Sequence, residues 1–144
     1  MEKEKAMTLK VKLDKGAYAP ERAYSTDAGF DLRSPVDATV DPRGSVTIDT
    51  GVHVQLWKNT VGFLKSKSGL NVYYGITSEG VIDCGFSGSI KVKLYNHTDV
   101  PFYVKKGSKI SQLVILPIYT PDIEIVDEIE AGERGVNGFG STGE

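Results

Sequence analysis

Apolar residues in this chain recur at every second position in short runs, and no stretch sustains the 3.6-residue period of a helix. Leu9, Val11 and Leu13 alternate with Thr8, Lys10 and Lys12. Val46 and Ile48 alternate with Ser45, Thr47 and Asp49, and Val52, Val54 and Leu56 with His53 and Gln55. Ile90, Val92 and Leu94 alternate with Lys91 and Lys93. Each run predicts a strand with one side in a core and the other toward solvent or a partner. Residues 113–118 are almost wholly apolar, which predicts a strand covered on both faces, and Ile123, Ile125 and Ile129 suggest a further strand. Turn residues punctuate the runs at Asp41-Pro42-Arg43-Gly44, Lys58-Asn59, Asn96-His97-Thr98-Asp99 and Lys105-Lys106-Gly107. The one helical candidate is short, about Ser68 to Tyr74. An all-β sandwich or barrel of short strands follows.

At 144 residues the chain is sized for one domain. Lys+Arg total 17 and Asp+Glu 19, a net charge of −2, which argues against a general nucleic-acid binder. One cysteine, Cys84, excludes an intrachain disulfide framework, and two histidines, His53 and His97, make a histidine-rich metal centre unexpected. No apolar run approaches the roughly 20 residues that span a bilayer. The charged start, Met1-Glu2-Lys3-Glu4-Lys5, lacks the apolar stretch of a signal peptide, so the expected location is the cytoplasm, away from membranes.

Five segments carry candidate chemistry. Residues 133–144 form a glycine-rich arm containing Arg134, Phe139, Gly140, Ser141 and Thr142. Glycines let backbone N–H groups approach phosphate, arginine grips it with a fork, hydroxyls add donors, and a lone ring can stack on a base. A solvated tail has the same composition. In Gly80-Val81-Ile82-Asp83-Cys84-Gly85-Phe86-Ser87-Gly88, Asp83 can accept a proton from an attacking water or brace a turn. Asp27-Ala28-Gly29-Phe30-Asp31-Leu32 reads as a turn and strand start. Lys65-Ser66-Lys67-Ser68-Gly69 places two lysines and two serines before the short helix, either an anion site or a solvated cap. In Gly107-Ser108-Lys109-Ile110-Ser111-Gln112, the glutamine leads into an apolar strand as a sheet residue or a ligand contact.

Together and in this order the five segments resemble the five motifs of the trimeric dUTP diphosphatases (dUTPases), from about Leu9 to Gly143. The resemblance implies a β jelly roll of the β-clip type over residues 1–132. It also implies a flexible arm over 133–144 that closes on a neighbouring subunit's site in a homotrimer. It implies hydrolysis of dUTP to dUMP and pyrophosphate with Mg²⁺, which keeps uracil out of DNA and supplies dUMP for thymidylate synthesis. Asp83 would be the general base for attack on the α-phosphorus. Thr77, Gly80, Val81, Ile82 and Lys91 would hold uracil, largely through backbone groups, and Phe86 would pack beneath the deoxyribose. Lys67, Ser68, Gly69 and Gln112 would meet the phosphate chain, and Asp31 would order waters on a metal held mainly by the triphosphate. Phe139 would stack on uracil, with Gly140 beside it and Arg134, Ser141 and Thr142 on the terminal phosphate.

Five positions depart from the family pattern. Lys67 stands for arginine, keeping the charge and losing the bidentate fork. Phe86 stands for tyrosine, Thr77 for asparagine or glycine, and Ser108-Lys109 for an Asp-Arg pair, which leaves Lys109 in need of another partner. Two other readings are a deoxycytidine-nucleotide deaminase, which shares the fold, and a binding protein with catalysis secondary. The arm and the Gly-Val-Ile-Asp segment argue against the first, and the lack of a large insertion against the second.

Overall fold

The computed structural model describes residues 7–140, 142 and 143. Strands β1 (Lys10–Leu13), β2 (Gly29–Arg33), β3 (Ala38–Val40), β4 (Ser45–Asp49), β5 (Val52–Gln55) and β6 (Thr60–Lys65) precede helix α1 (Ser68–Tyr74). Strands β7 (Ile76–Thr77), β8 (Glu79–Asp83), β9 (Lys91–Asn96), β10 (Phe102–Val104) and β11 (Lys109–Pro117) follow it. They form a four-stranded sheet in the order β2-β11-β6-β8, a three-stranded sheet β4-β9-β7, and the ribbons β1-β5 and β10-β3. Most neighbours along each sheet are distant in sequence, as in a jelly roll.

One core joins all four sheets: Leu32 and Leu113, Ile48 and Val92, Val52 and Val54, and Val40 and Val104 belong to a single apolar cluster. Leu32, Ile90, Leu94 and Leu113 are fully buried, each side chain contributing about 1.5–3 kcal/mol. Strand β9 shows the period-two rule, with Val92 and Leu94 inward and Lys91, Lys93 and Tyr95 outward.

The turn signals hold. The Gly44 N–H donates to the Asp41 carbonyl at 2.9 Å, Thr60 to Trp57 at 3.2 Å and Ser108 to Lys105 at 2.9 Å. The Asn96 carboxamide oxygen accepts the Thr98 N–H at 3.0 Å. Helix α1 spans the expected residues and ends on Gly75, whose left-handed φ of 64° closes the last turn onto Asn71.

Three expectations fail. Strand β1 forms but is exposed along its length, because it belongs to a two-stranded ribbon and none of the described residues covers Val11 and Leu13. Strand β11 is central in its sheet, yet Leu116 is 41% exposed rather than covered. Ile123, Ile125 and Ile129 lie in no strand and are 87–90% exposed. All three are apolar surfaces that the described residues leave open to solvent.

Candidate active site

Strand β11 gathers three of the five segments because it lies between β2 and β6. Its Gln112 faces Asp31 on one side and Lys65 on the other. The register slips between Lys109 and Ser111. That bulge lets Ile110 and Ser111 both turn inward, and it returns Lys109 to the side of the sheet that Gln112 occupies. Lys109 Nζ thereby reaches Asp31 Oδ2 at 3.1 Å, while Lys67 donates to Asp31 Oδ1. The partner that Lys109 required is therefore Asp31. Burial of the Asp31 carboxyl would raise its pKa, but hydrogen bonds and charge from Lys67 and Lys109 outweigh it and hold the group below the ordinary carboxylate range.

Glycine makes room for the glutamine. A Cβ on Gly29 would stand 2.1 Å from Gln112 Oε1, so the Gln112 side chain crosses the bare backbone of β2. Its amide donates to the Ser66 carbonyl at 2.9 Å. Beyond Lys67, Ser68 and Gly69 open α1, whose first turn carries no acidic residue. The corner therefore combines two ammonium groups, one carboxylate and the opening of a helix with unfilled backbone donors, a set suited to oxyanions.

The anion-site reading of residues 65–69 needs correction in half its members. Lys65 pairs with Glu79 at 2.7 Å, and Ser66 is a brace. The Ser66 hydroxyl accepts the Ser78 N–H at 3.0 Å and donates to the Ser78 carbonyl. Ser78 Oγ lies 2.9 Å from Ser111 Oγ, and Ser111 donates to the Lys65 carbonyl at 2.9 Å. Ser111 has one proton, so Ser78 is the donor of the pair. Sequence reasoning missed Ser78 and Ser111 as parts of the site. Their signal was a hydroxyl at positions leading into or between apolar strands, which in a core must find a partner.

The second half of the site lies elsewhere on the same sheet. Along the β6–β8 pair, Lys65 faces Glu79 and Asp83 faces Val61, four positions away, or roughly 13 Å at about 3.3 Å per residue. Asp83 is exposed, and its carbonyl accepts the Phe86 N–H at 3.0 Å, closing a turn. The Phe86 ring lies over Gly88, where a Cβ would meet it at 2.7 Å. Gly80 presses on Leu64 and Ile82 is buried at 8%, so both turn inward and present only backbone outward. Val81 is 60% exposed. Thr77 hydrogen-bonds His97 Nε2 at 2.7 Å. Lys91 lies outside this hairpin, on β9 opposite Asp49.

The arm stands apart from both halves. Every described residue from 119 to 143 is exposed. Tight turns run from Gly132 to Gly135, Arg134 to Asn137 and Gly140 to Gly143. Phe139 is fully exposed, and Arg134, Asn137, Thr142 and Glu133 line one shallow recess. Ser141 lies outside the described residues.

No group of three or more His, Cys, Asp or Glu among the described residues could hold a metal ion. The donor set offers one buried carboxylate, Asp31, whose oxygens already face two ammonium groups. It fits a hard cation only if that cation brings most of its oxygen ligands with the substrate. Among the described residues no helix is long and apolar enough to cross a membrane.

Comparison with known proteins places this architecture. The dUTPase family model matches residues 15–143. The deoxyuridine 5'-triphosphate nucleotidohydrolase of Tropheryma whipplei (strain Twist) is 42% identical over 142 residues, 95% of this chain and 96% of the relative. That of Clostridium kluyveri is 44% identical over 141 residues, 95% of this chain and 99% of the relative. The Staphylococcus bacteriophage 80alpha dUTPase with dUpNHpp superimposes with a TM-score of 0.90 at 32% identity, covering 96% of this chain and all of the phage protein. A dUTPase of phage phi11 of S. aureus, described with a structural Mg(II) ion, superimposes with a TM-score of 0.78 at 29% identity over 85% of this chain and 98% of that one. Five ordered motifs, the jelly roll and these likenesses agree: the chain belongs to the dUTPase family.

Proposed function

We propose that the chain hydrolyses dUTP to dUMP and pyrophosphate at a site assembled from several copies of itself. The observation that carries the assembly is the separation between the cationic corner at Asp31 on β2 and the exposed Asp83 on β8: two strands lie between them, and they are offset by roughly 13 Å along the strand direction alone. A nucleotide that engaged both within one chain would have to stretch across β11 and β6. In a homotrimer, one chain's corner, a second chain's hairpin and a third chain's arm can meet. The exposed apolar residues Val11, Leu13, Leu116 and Ile123 support such contacts.

In this reading Thr77 and the outward backbone of Gly80, Val81 and Ile82 read the uracil edge. Fixed backbone donors and acceptors would be left unpaired by cytosine. Phe86 lies beneath the deoxyribose and leaves no room for a 2′-hydroxyl. Lys67, Ser68, Gly69 and Gln112 hold the phosphate chain, and Lys91 lies at the margin. Asp83 takes a proton from a water that attacks the α-phosphorus, and the bond to the bridging oxygen breaks to release pyrophosphate. Phe139 and Gly140 cover the base, while Arg134, Ser141 and Thr142 meet the terminal phosphate and exclude bulk water. Mg²⁺ bound to the triphosphate would neutralise phosphate charge, with Asp31 the acidic group on that corner.

Pyrophosphate release from dUTP with Mg²⁺, run beside dCTP, dTTP and UTP, tests the reading. Release from dUTP alone is expected. Ammonia from dCTP, or no release from any of the four, would refute it.

A further inference from the structure

His53 sits on β5 opposite Lys12 of β1, and its ring reaches beyond that ribbon at both nitrogens. Nδ1 is 2.7 Å from the carbonyl oxygen of Ser87, in the loop that follows β8. Nε2 is 3.0 and 3.1 Å from the two carboxylate oxygens of Asp14. A carbonyl and a carboxylate are both acceptors. A neutral imidazole has one N–H and can satisfy one of them, whereas the imidazolium donates to both.

The loop it holds is the one the reaction depends on. Asp83 begins it, Phe86 precedes Ser87, and the Phe86 ring rests on Gly88. Its start is tied by the Phe86 N–H to the Asp83 carbonyl, and its end by the Ile90 N–H to the Val52 carbonyl at 2.8 Å. Between those ties, His53 grips the Ser87 carbonyl.

We propose that His53 is a positioning residue: its imidazolium clamps the loop from Asp83 to Ile90 to the body of the domain, so that affinity for the nucleotide is highest when His53 is protonated. The inference rests on the roles read above for Phe86 and Asp83. The surrounding charges are consistent with it. The Ser87 carbonyl and then the Asp14 carboxylate raise the His53 pKa above its ordinary value, while partial burial and Lys12 oppose them. Asp49 on β4 also senses the His53 charge. A raised pKa means both hydrogen bonds are present below the ordinary histidine range and one of them is lost as pH rises through the folded value.

The test uses the full chain. The His53 ring is titrated by NMR without nucleotide, its signals identified by their absence in His53→Gln. KM and kcat for dUTP are then measured from pH 5.5 to 9 for wild type, His53→Gln and Asp14→Asn. The terminal phosphate of dUTP titrates in the same range, so the quantity read is the ratio of variant to wild-type KM at each pH. His53 is expected to titrate above about 6.5 and to fall in Asp14→Asn. The KM ratio is expected to be about three- to tenfold at low pH, the loss of a charge-assisted hydrogen bond, and to narrow at high pH, where one neutral N–H remains, with kcat little changed. A His53 that titrates at or below its ordinary value, or a ratio that does not vary with pH, would overturn the proposal. Amide exchange at Phe86 to Gly88, compared between wild type and His53→Gln without nucleotide, reads the clamp alone. Protection that depends on His53 at low pH, in a chain that does not turn over dUTP, would uphold the clamp and reject the substrate reading. Equal protection in the two proteins would reject the clamp.

Discussion

Two ammonium groups share one buried carboxylate at Asp31, which leaves one positive charge of the trio available to a phosphate. Asp31→Asn removes the shared anion and sets Lys67 against Lys109, so the KM for dUTP is expected to rise while the fold persists at neutral pH. Because the folded pKa of Asp31 is depressed, its stabilising contribution is present above the unfolded value of about 3.9 and is lost as pH falls through the lower folded value. Denaturant midpoints measured down through that range should show an acid loss in wild type that is smaller in Asp31→Asn. Asp83 lies at the other end of the sheet with its side chain exposed, away from the core. Asp83→Asn should slow pyrophosphate release by about 10²- to 10⁴-fold, the usual worth of a general base. Its affinity for a non-hydrolysable dUTP analogue, measured by calorimetry, should match wild type. An unchanged rate would remove Asp83 from the base role.

At the scale of the element, β11 is the organiser. Its bulge after Lys109 and its position between β2 and β6 bring together residues about 80 apart in sequence, a juxtaposition that no local pattern encodes. Gly29 is the matching feature on β2. Gly29→Ala would push Gln112 off the Ser66 carbonyl, because its new Cβ would stand 2.1 Å from Gln112 Oε1. A loss of about 1 kcal/mol from that bond is expected, seen as a higher KM with an unchanged far-ultraviolet spectrum. Strand alternation, the four turns and α1 were legible because each depends on residues within a few positions of one another. The Ser66, Ser78 and Ser111 brace was not, because Ser66 follows β6, Ser78 lies between β7 and β8 and Ser111 is on β11, and these hydroxyls become a network only after the strands register. Likewise, the motif comparison identified Lys109 as lacking its usual neighbour, but only the fold supplied Asp31.

At the scale of the whole molecule, Val11, Leu13, Leu116, Ile123, Ile125 and Ile129 are exposed, as is every described residue of the arm. A chain ending at Gly132 should fold yet lose pyrophosphate release from dUTP, because Arg134, Phe139 and Thr142 would be gone. If each site takes Asp83 and the arm from different copies, unfolding and refolding that truncated chain together with Asp83→Asn should restore part of the activity that neither has alone. Mixed assemblies with no more activity than the separate parents would place the whole site within one chain.

Alternation, turn chemistry and the order of five motifs were enough, without coordinates, to identify an all-β chain of the dUTPase family. Those features are local: they follow from backbone preferences and from which side chains a phosphate or a base can use. Three matters were decided only by the tertiary structure. They are the sharing of Asp31 by two lysines, the linking of Ser66 to the buried Ser78 and Ser111 beneath the phosphate corner, and the placement of His53 against the loop of Phe86. Each joins segments distant in sequence through hydrogen bonds a few ångströms long, and only the assembled fold brings such partners within reach.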